Sequence, residues 1–156
     1  MTHEFKKIVV EGLSARKNRL KSVLASVVAL DGSSYRRPGV RMLILESGKM
    51  IGAVSGGCVE KEILLQSESV FETGASKVMT YDGKYRLGCE GVLYILIEPF
   101  NPDDTFVNVF ADCLNKRESF KVVSCFDKRE SVSFEFGSYV KINNELFSVS
   151  DDNMDK

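Results

Sequence analysis

The chain has 156 residues, 44% of them hydrophobic, and its 21 basic and 22 acidic side chains nearly cancel. That length and apolar content suit one domain with one core, and a net charge of −1 supplies no field to draw nucleic acid or an anionic membrane surface. The lone histidine, His3, excludes any Ser-His-Asp triad, Cys-His dyad or HExxH zinc site built from core histidines.

Phe5, Ile8, Val9 and Leu13 recur at helical spacing opposite Lys6, Lys7, Glu11 and Arg16, which predicts a first helix ending in the basic stretch 16–19. Ser22 to Leu30 is apolar on both faces and rich in valine, the pattern of a central buried strand. Val40–Glu46 and Lys49–Val54 flank Ser47-Gly48 and read as a β-hairpin. Val59 to Thr73 has helical spacing, with Gly74 as its stop. A short strand at Lys77–Tyr81, a glycine-rich loop over Asp82–Gly91 and a central strand at Val92–Ile97, ended by Glu98-Pro99, follow. Beyond Pro102 a helix over Thr105–Leu114 precedes three or four short alternating segments between Phe120 and Val149, with Asn143-Asn144 as a hairpin turn. These elements predict an α/β fold, a mixed sheet with helices packed on it. The organisation expected is a core over 1–100, a helix and short strands of the same domain over 101–150, and a polar tail over 151–156. No span of about 20 apolar residues and no signal-peptide core occurs, so a cytoplasmic protein without membrane association is expected.

Three non-regular stretches hold most of the glycines and charges that core patterning does not explain. In Ser55 to Glu60, a strand runs through Gly56 and Gly57 into a helix starting near Cys58. A helix N-terminus favours an anion and lowers the pKa of a thiol in its first turn, so Cys58 is the best thiolate candidate; the alternative is a tight turn followed by a small packed cysteine. In Gly32 to Arg41, Arg36, Arg37 and Arg41 follow Ser33 and Ser34, a set suited to a phosphate, a carboxylate or a polar heterocycle, or else to solvated surface. In Tyr81 to Gly91, Cys89 lies between Gly88 and Glu90 and reads equally as a functional or a bend-forming residue. Cys113 and Cys125 read as core packing, and wide spacing makes all four cysteines thiols rather than disulfide partners.

Together, Gly32-Ser33-Ser34-Tyr35-Arg36-Arg37-Pro38-Gly39-Val40-Arg41-Met42, Val54-Ser55-Gly56-Gly57-Cys58-Val59-Glu60, Leu87-Gly88-Cys89-Glu90-Gly91 and Ile97-Glu98-Pro99 resemble the N-terminal domain of the XdhC/CoxI family, xanthine dehydrogenase accessory factors, in order and spacing. The likeness is clear from about residue 4 to 100 and thinner to about 150. It implies a maturation factor, not a free-standing enzyme: one that holds molybdenum cofactor (molybdopterin) while sulfur is installed and passes it to a xanthine dehydrogenase-type molybdenum hydroxylase. A cysteine desulfurase is then a partner, and exposed edges of short strands suggest a homodimer. Ser33, Ser34, Arg36, Arg41, Ser55, Gly56, Gly57, Cys58, Glu60 and Cys89 would contact the cofactor, with Cys58 as metal ligand and no catalytic residue.

Two departures stand out. Relatives continue into a Rossmann-like domain, whereas no GxGxxG or GxGxxA occurs here, so NAD(P) binding is not expected; and Glu90 stands where relatives carry glycine in the third loop. Two other readings remain open: a thiol-dependent transferase or hydrolase with Cys58 as nucleophile and Glu60 or Glu90 as base, and a protein-interaction module without a small ligand.

Overall fold

The computed structural model describes residues 2–32, 38–54, 57–82, 91–129 and 131–150, except for the side chains of Thr2 and Cys58. Its organising element is β1 (Ser22–Asp31), whose first six residues are all buried because it is hydrogen-bonded on both sides. One neighbour is β2 (Arg41–Leu45), which turns through Ser47-Gly48 into β3 (Met50–Gly52), as the hairpin pattern predicts. The other is β5 (Val92–Pro99), which pairs in turn with β4 (Ser76–Asp82). A three-residue strand, β7 (Ser131–Ser133), closes the far side, giving the order β3-β2-β1-β5-β4-β7. A second sheet has β8 (Gly137–Ile142) between β6 (Lys121–Cys125) and β9 (Glu145–Ser148). Every pairing between these strands is antiparallel; the one parallel pairing among the described residues is the isolated bridge Asn101–Ser150. The β8–β9 turn is made by Asn143 and Asn144, both at positive φ (49° and 69°), a conformation asparagine tolerates better than most residues.

Three helices cover the sheets: α1 (Thr2–Lys17), α2 (Cys58–Thr73) and α3 (Asp104–Asn115). Gly74 ends α2 in the left-handed conformation and returns its N–H to the Val70 carbonyl, the stop expected from its place in the sequence. Asp103 caps α3 by accepting from the Phe106 N–H at 2.7 Å. Period-two alternation splits the large sheet into two faces. Val23, Ala25, Val27, Met42, Ile44, Ile95 and Ile97 pack with Val59, Ile63 and Val70 of α2. On the opposite face Leu24, Leu43 and Leu45 join Phe5 and Ile8 of α1, Phe106 and Phe110 of α3, and Val140 and Ile142 of the second sheet. This second cluster draws on residues from both sides of position 100, with Phe110 edge-on to Phe120 at 5.2 Å and stacked on Phe106 at 5.5 Å. At Gly12 a Cβ would lie 2.5 Å from the Phe100 ring, so α1 reaches its seat only through glycine.

One expectation fails here. Cys125 is exposed rather than core, because in β6 the alternation turns Val122 and Ser124 inward and Cys125 outward. Cys113 is buried, as expected, with its Sγ 3.3 Å from the Glu118 carbonyl.

Candidate functional site

Antiparallel pairing fixes where the three glycine- and charge-rich stretches leave the sheet. β1 and β4 end, and β2 and β5 begin, at the same edge of strand ends; β3 ends there too, and α2 starts from it. The described flanks Asp31-Gly32, Gly39–Arg41, Gly52–Val54, Gly57-Cys58, Asp82 and Gly91-Val92 therefore stand at one end of the six-stranded sheet. Ser33, Ser34, Arg36, Arg37, Ser55, Gly56, Cys89 and Glu90 lie outside the described residues; Arg41, Gly57, the Cys58 backbone and Glu60 lie within them.

Gly57 has φ 137°, which a residue bearing a Cβ rarely adopts, and its carbonyl accepts the Lys61 N–H, so the helix opens immediately after the glycine. Cys58 is thus the first residue of α2, at the positive end of a 16-residue helix dipole. Glu60, in the same first turn, is buried, and its Oε2 accepts from the Val54 N–H at 3.2 Å. Its carboxylate links the residue that follows β3 to the first turn of α2.

Arg41 begins β2 directly opposite Ser26 of β1, so both side chains point to the face that meets the second sheet. Its Nη1 donates to the Gly39 carbonyl at 2.8 Å, while Nε and the Ser26 Oγ are buried without hydrogen-bond partners among the described residues. Arg41 is not a solvated surface residue: burial depresses its pKa below the ordinary arginine value, and the charge of Glu98 works against that depression.

Glu98 is the residue that sequence reasoning misses. Expected as the end of a strand, it lies inside β5, opposite Leu24 and fully buried. Its Oε1 accepts the Ser138 N–H at 2.7 Å and its Oε2 the Ser138 hydroxyl at 2.6 Å, and Ser138 is 2.8 Å from the Ser124 hydroxyl. Burial pushes the carboxyl up to about 7 against the downward pull of those hydrogen bonds and of Arg41. A signal for it exists: in Val92 to Pro99, Glu98 has the same parity as the inward-facing Leu96.

Nearer the loop end of the same face, a β-bulge at Val28 brings Asp31 beside Tyr94. The Tyr94 hydroxyl donates to Asp31 at 2.8 Å, Lys128 pairs with the other carboxylate oxygen, and the Lys128 ammonium stands 5.3 Å from the centre of the Tyr94 ring. These hydrogen bonds lower the Asp31 pKa and raise that of Tyr94. Lys128 thereby ties the segment between β6 and β7 to the end from which the loops emerge. Among the described residues no three His, Cys, Asp or Glu side chains group as a metal site, and no helix is long and apolar enough to cross a membrane.

Residues 15–82, which carry two of the three stretches, match the XdhC and CoxI family. That span of the chain belongs to the family. A relative from Bacillus subtilis (strain 168), named as a probable xanthine dehydrogenase subunit, is 30% identical over 125 residues, covering 74% of this chain and 37% of the relative. The molybdenum cofactor insertion chaperone PaoD of Escherichia coli (strain K12) is 31% identical over 75 residues, 48% of this chain and 23% of its own. A solved structure, described as a xanthine dehydrogenase from Bacillus halodurans, superposes with TM-score 0.67 at 22% identity, covering 89% of this chain and 44% of that one, and supports the fold. The chain thus spans less than half the length of each of these proteins.

Proposed function

We propose that this chain binds molybdenum cofactor as cargo and holds it for sulfuration and insertion into a xanthine dehydrogenase-type molybdenum hydroxylase. The observation that carries the reading is that the described flanks of all three stretches stand at one end of the sheet, where the start of α2 at Cys58 and the desolvated Arg41 offer different chemistry to one ligand. The cofactor is a phosphate monoester, a polar bicyclic ring and a thiophilic metal, and the residues supply a match for each. Arg36 and Arg41, with Ser33 and Ser34, would hold the anionic and polar parts. Cys58, in the first turn of α2, would contact the metal or the sulfur delivered to it, and Ser55, Gly56 and Gly57 would let the ligand approach the main chain. Glu60 would act through the turn it braces, and Cys89 would close the site from the third stretch.

The names of two relatives, one a cofactor insertion chaperone and one a xanthine dehydrogenase subunit, favour this role over a thiol-dependent transferase. So does the commitment of Glu60 to the Val54 N–H, which leaves it poorly placed as a base for Cys58. A recipient hydroxylase, a cysteine desulfurase as sulfur donor, a cytoplasmic setting and a homodimer complete the proposal. The test is to purify the protein from cells that make the cofactor and assay bound pterin and molybdenum. Stoichiometric pterin is expected; protein free of both pterin and metal, yet able to bind the recipient enzyme, would favour the interaction-module reading.

A further inference from the structure

Between the N-terminal turns of α1 and the second sheet lies a cleft of about 380 Å³, lined among others by Phe5, Ile8, Gly39, Arg41, Phe120 and Val122. Three observations bear on it, one at Arg41 in its lining and two at Ser26 and Glu98 on the strands behind that wall. The Arg41 Nε is buried without a partner, and so is the hydroxyl of Ser26, its opposite number across the β1–β2 rung. A buried donor left unpaired costs roughly 1–3 kcal/mol, so two on one rung imply a group that completes them. Nε and Nη2 together form one bidentate edge of a guanidinium, the geometry that fits an oxyanion. The third observation is Glu98, a carboxyl buried on the same face, near enough that its charge acts on Arg41.

We propose that this cleft takes the oxyanion of a phosphate monoester on Arg41 and Ser26, and that Glu98 is a positioning residue whose charge sets how tightly the anion is held. With Glu98 neutral, the Arg41 charge is left for the ligand; with Glu98 ionised, the same charge is already partly answered and the anion meets a second negative group. The proton concerned is held by a carboxyl that burial pushes up to about 7, so binding strengthens on acidification through neutrality. The charged groups bearing on this pair are Arg41 from β2 and, along the cleft wall, Glu4 of α1 and Glu118 after α3; Ser138 of β8 and Ser124 of β6 contribute hydroxyls. Glu4 and Glu118 disfavour a bare polyanion and favour a monoester whose organic part carries N–H or O–H donors. The inference rests on the preceding reading only in treating Arg41 as a ligand contact.

Sulfate is the suitable probe, because unlike phosphate it keeps one charge state between pH 6 and pH 8. Titration of the full chain with sulfate should give binding tighter at pH 6 than at pH 8, on the order of tenfold. Glu98→Gln should bind at pH 8 as tightly as the unaltered protein does at pH 6, with no remaining pH dependence. Arg41→Lys, which keeps the charge but loses the fork, and Ser26→Ala should both weaken binding, with thermal melting confirming that they fold. Absence of saturable sulfate binding at pH 6, binding indifferent to Arg41→Lys, or pH dependence that survives in Glu98→Gln would each overturn the proposal. Sulfate binding by a protein that never carries pterin would keep this site and reject the cofactor reading; pterin retained without a sulfate site would do the reverse.

Discussion

The two faces of the six-stranded sheet are built by the same strands and differ in what they bury. Toward α2 the face is apolar except for the Tyr81 hydroxyl near the loop end. Toward the second sheet it carries a comparable apolar cluster interrupted by Ser26, Arg41, Glu98 and Ser138. Burial of an arginine and a carboxyl with imperfect pairing opposes folding, and stability alone would have replaced them with aliphatic residues. The α2 face is scaffold, and the face toward the second sheet gives up part of its stability to hold polar groups near the loop end.

The largest effect that would test this contrast lies on the apolar face. Ile63 of α2 is completely buried against the sheet, so Ile63→Ala should lower unfolding free energy by about 2–5 kcal/mol in denaturant titration while leaving ligand affinity of the folded fraction unchanged. A loss of ligand with little loss of stability would mean the faces are not separable.

The polar face predicts the opposite sign. Glu98 has its folded-state pKa raised from 4.5 to about 7, so the folded protein binds this proton more tightly than the unfolded chain does. Its contribution is fully favourable below about 4.5 and is lost as the pH rises through about 7. Glu98→Gln, which keeps the shape and can keep the hydrogen bonds to Ser138, should match the unaltered protein near pH 4.5 and exceed it at pH 8 by up to about 3 kcal/mol. Identical pH profiles for the two would show that Glu98 is not a desolvated acid.

Smaller is the change expected at Gly12. Gly12→Ala forces a Cβ against the Phe100 ring and should cost about 1–3 kcal/mol, moderated by whatever tilt that ring can find. Smallest is Lys128→Ala: its pair with Asp31 is half-exposed, so melting should barely move and any effect should appear in ligand binding at the loop end.

Much of this is legible in the sequence. Helical spacing in α1 and α2, the both-faced apolar run of β1, the Ser47-Gly48 hairpin and the Asn143-Asn144 turn are local signals, and the structure follows them. The loop motifs are legible as motifs, and antiparallel topology supplies the reason their described flanks share one end of the sheet. Glu98 escapes a sequence reading because its meaning is non-local: a charge near a proline looks like a strand end until β8 is seen to cover it with Ser138. Nor can sequence alone separate a solvated Arg41 from a desolvated one, since the cover comes from segments distant in the chain. Cys125 is misplaced for a related reason, because a short apolar run does not reveal its parity until its partner strand is known.

The most direct test of the central claim is cofactor retention by Cys58→Ser, purified alongside the unaltered protein from cells making molybdenum cofactor. A hydroxyl is a harder and far less acidic ligand than a thiolate, while the volume change is small, so pterin and molybdenum should fall to background with stability altered by about 1 kcal/mol or less. Cys113→Ser should instead lower stability and leave retention intact, because Cys113 is on the buried side of α3, in the core. A folded Cys58→Ser protein that still carries the cofactor and still matures its recipient enzyme would contradict the account.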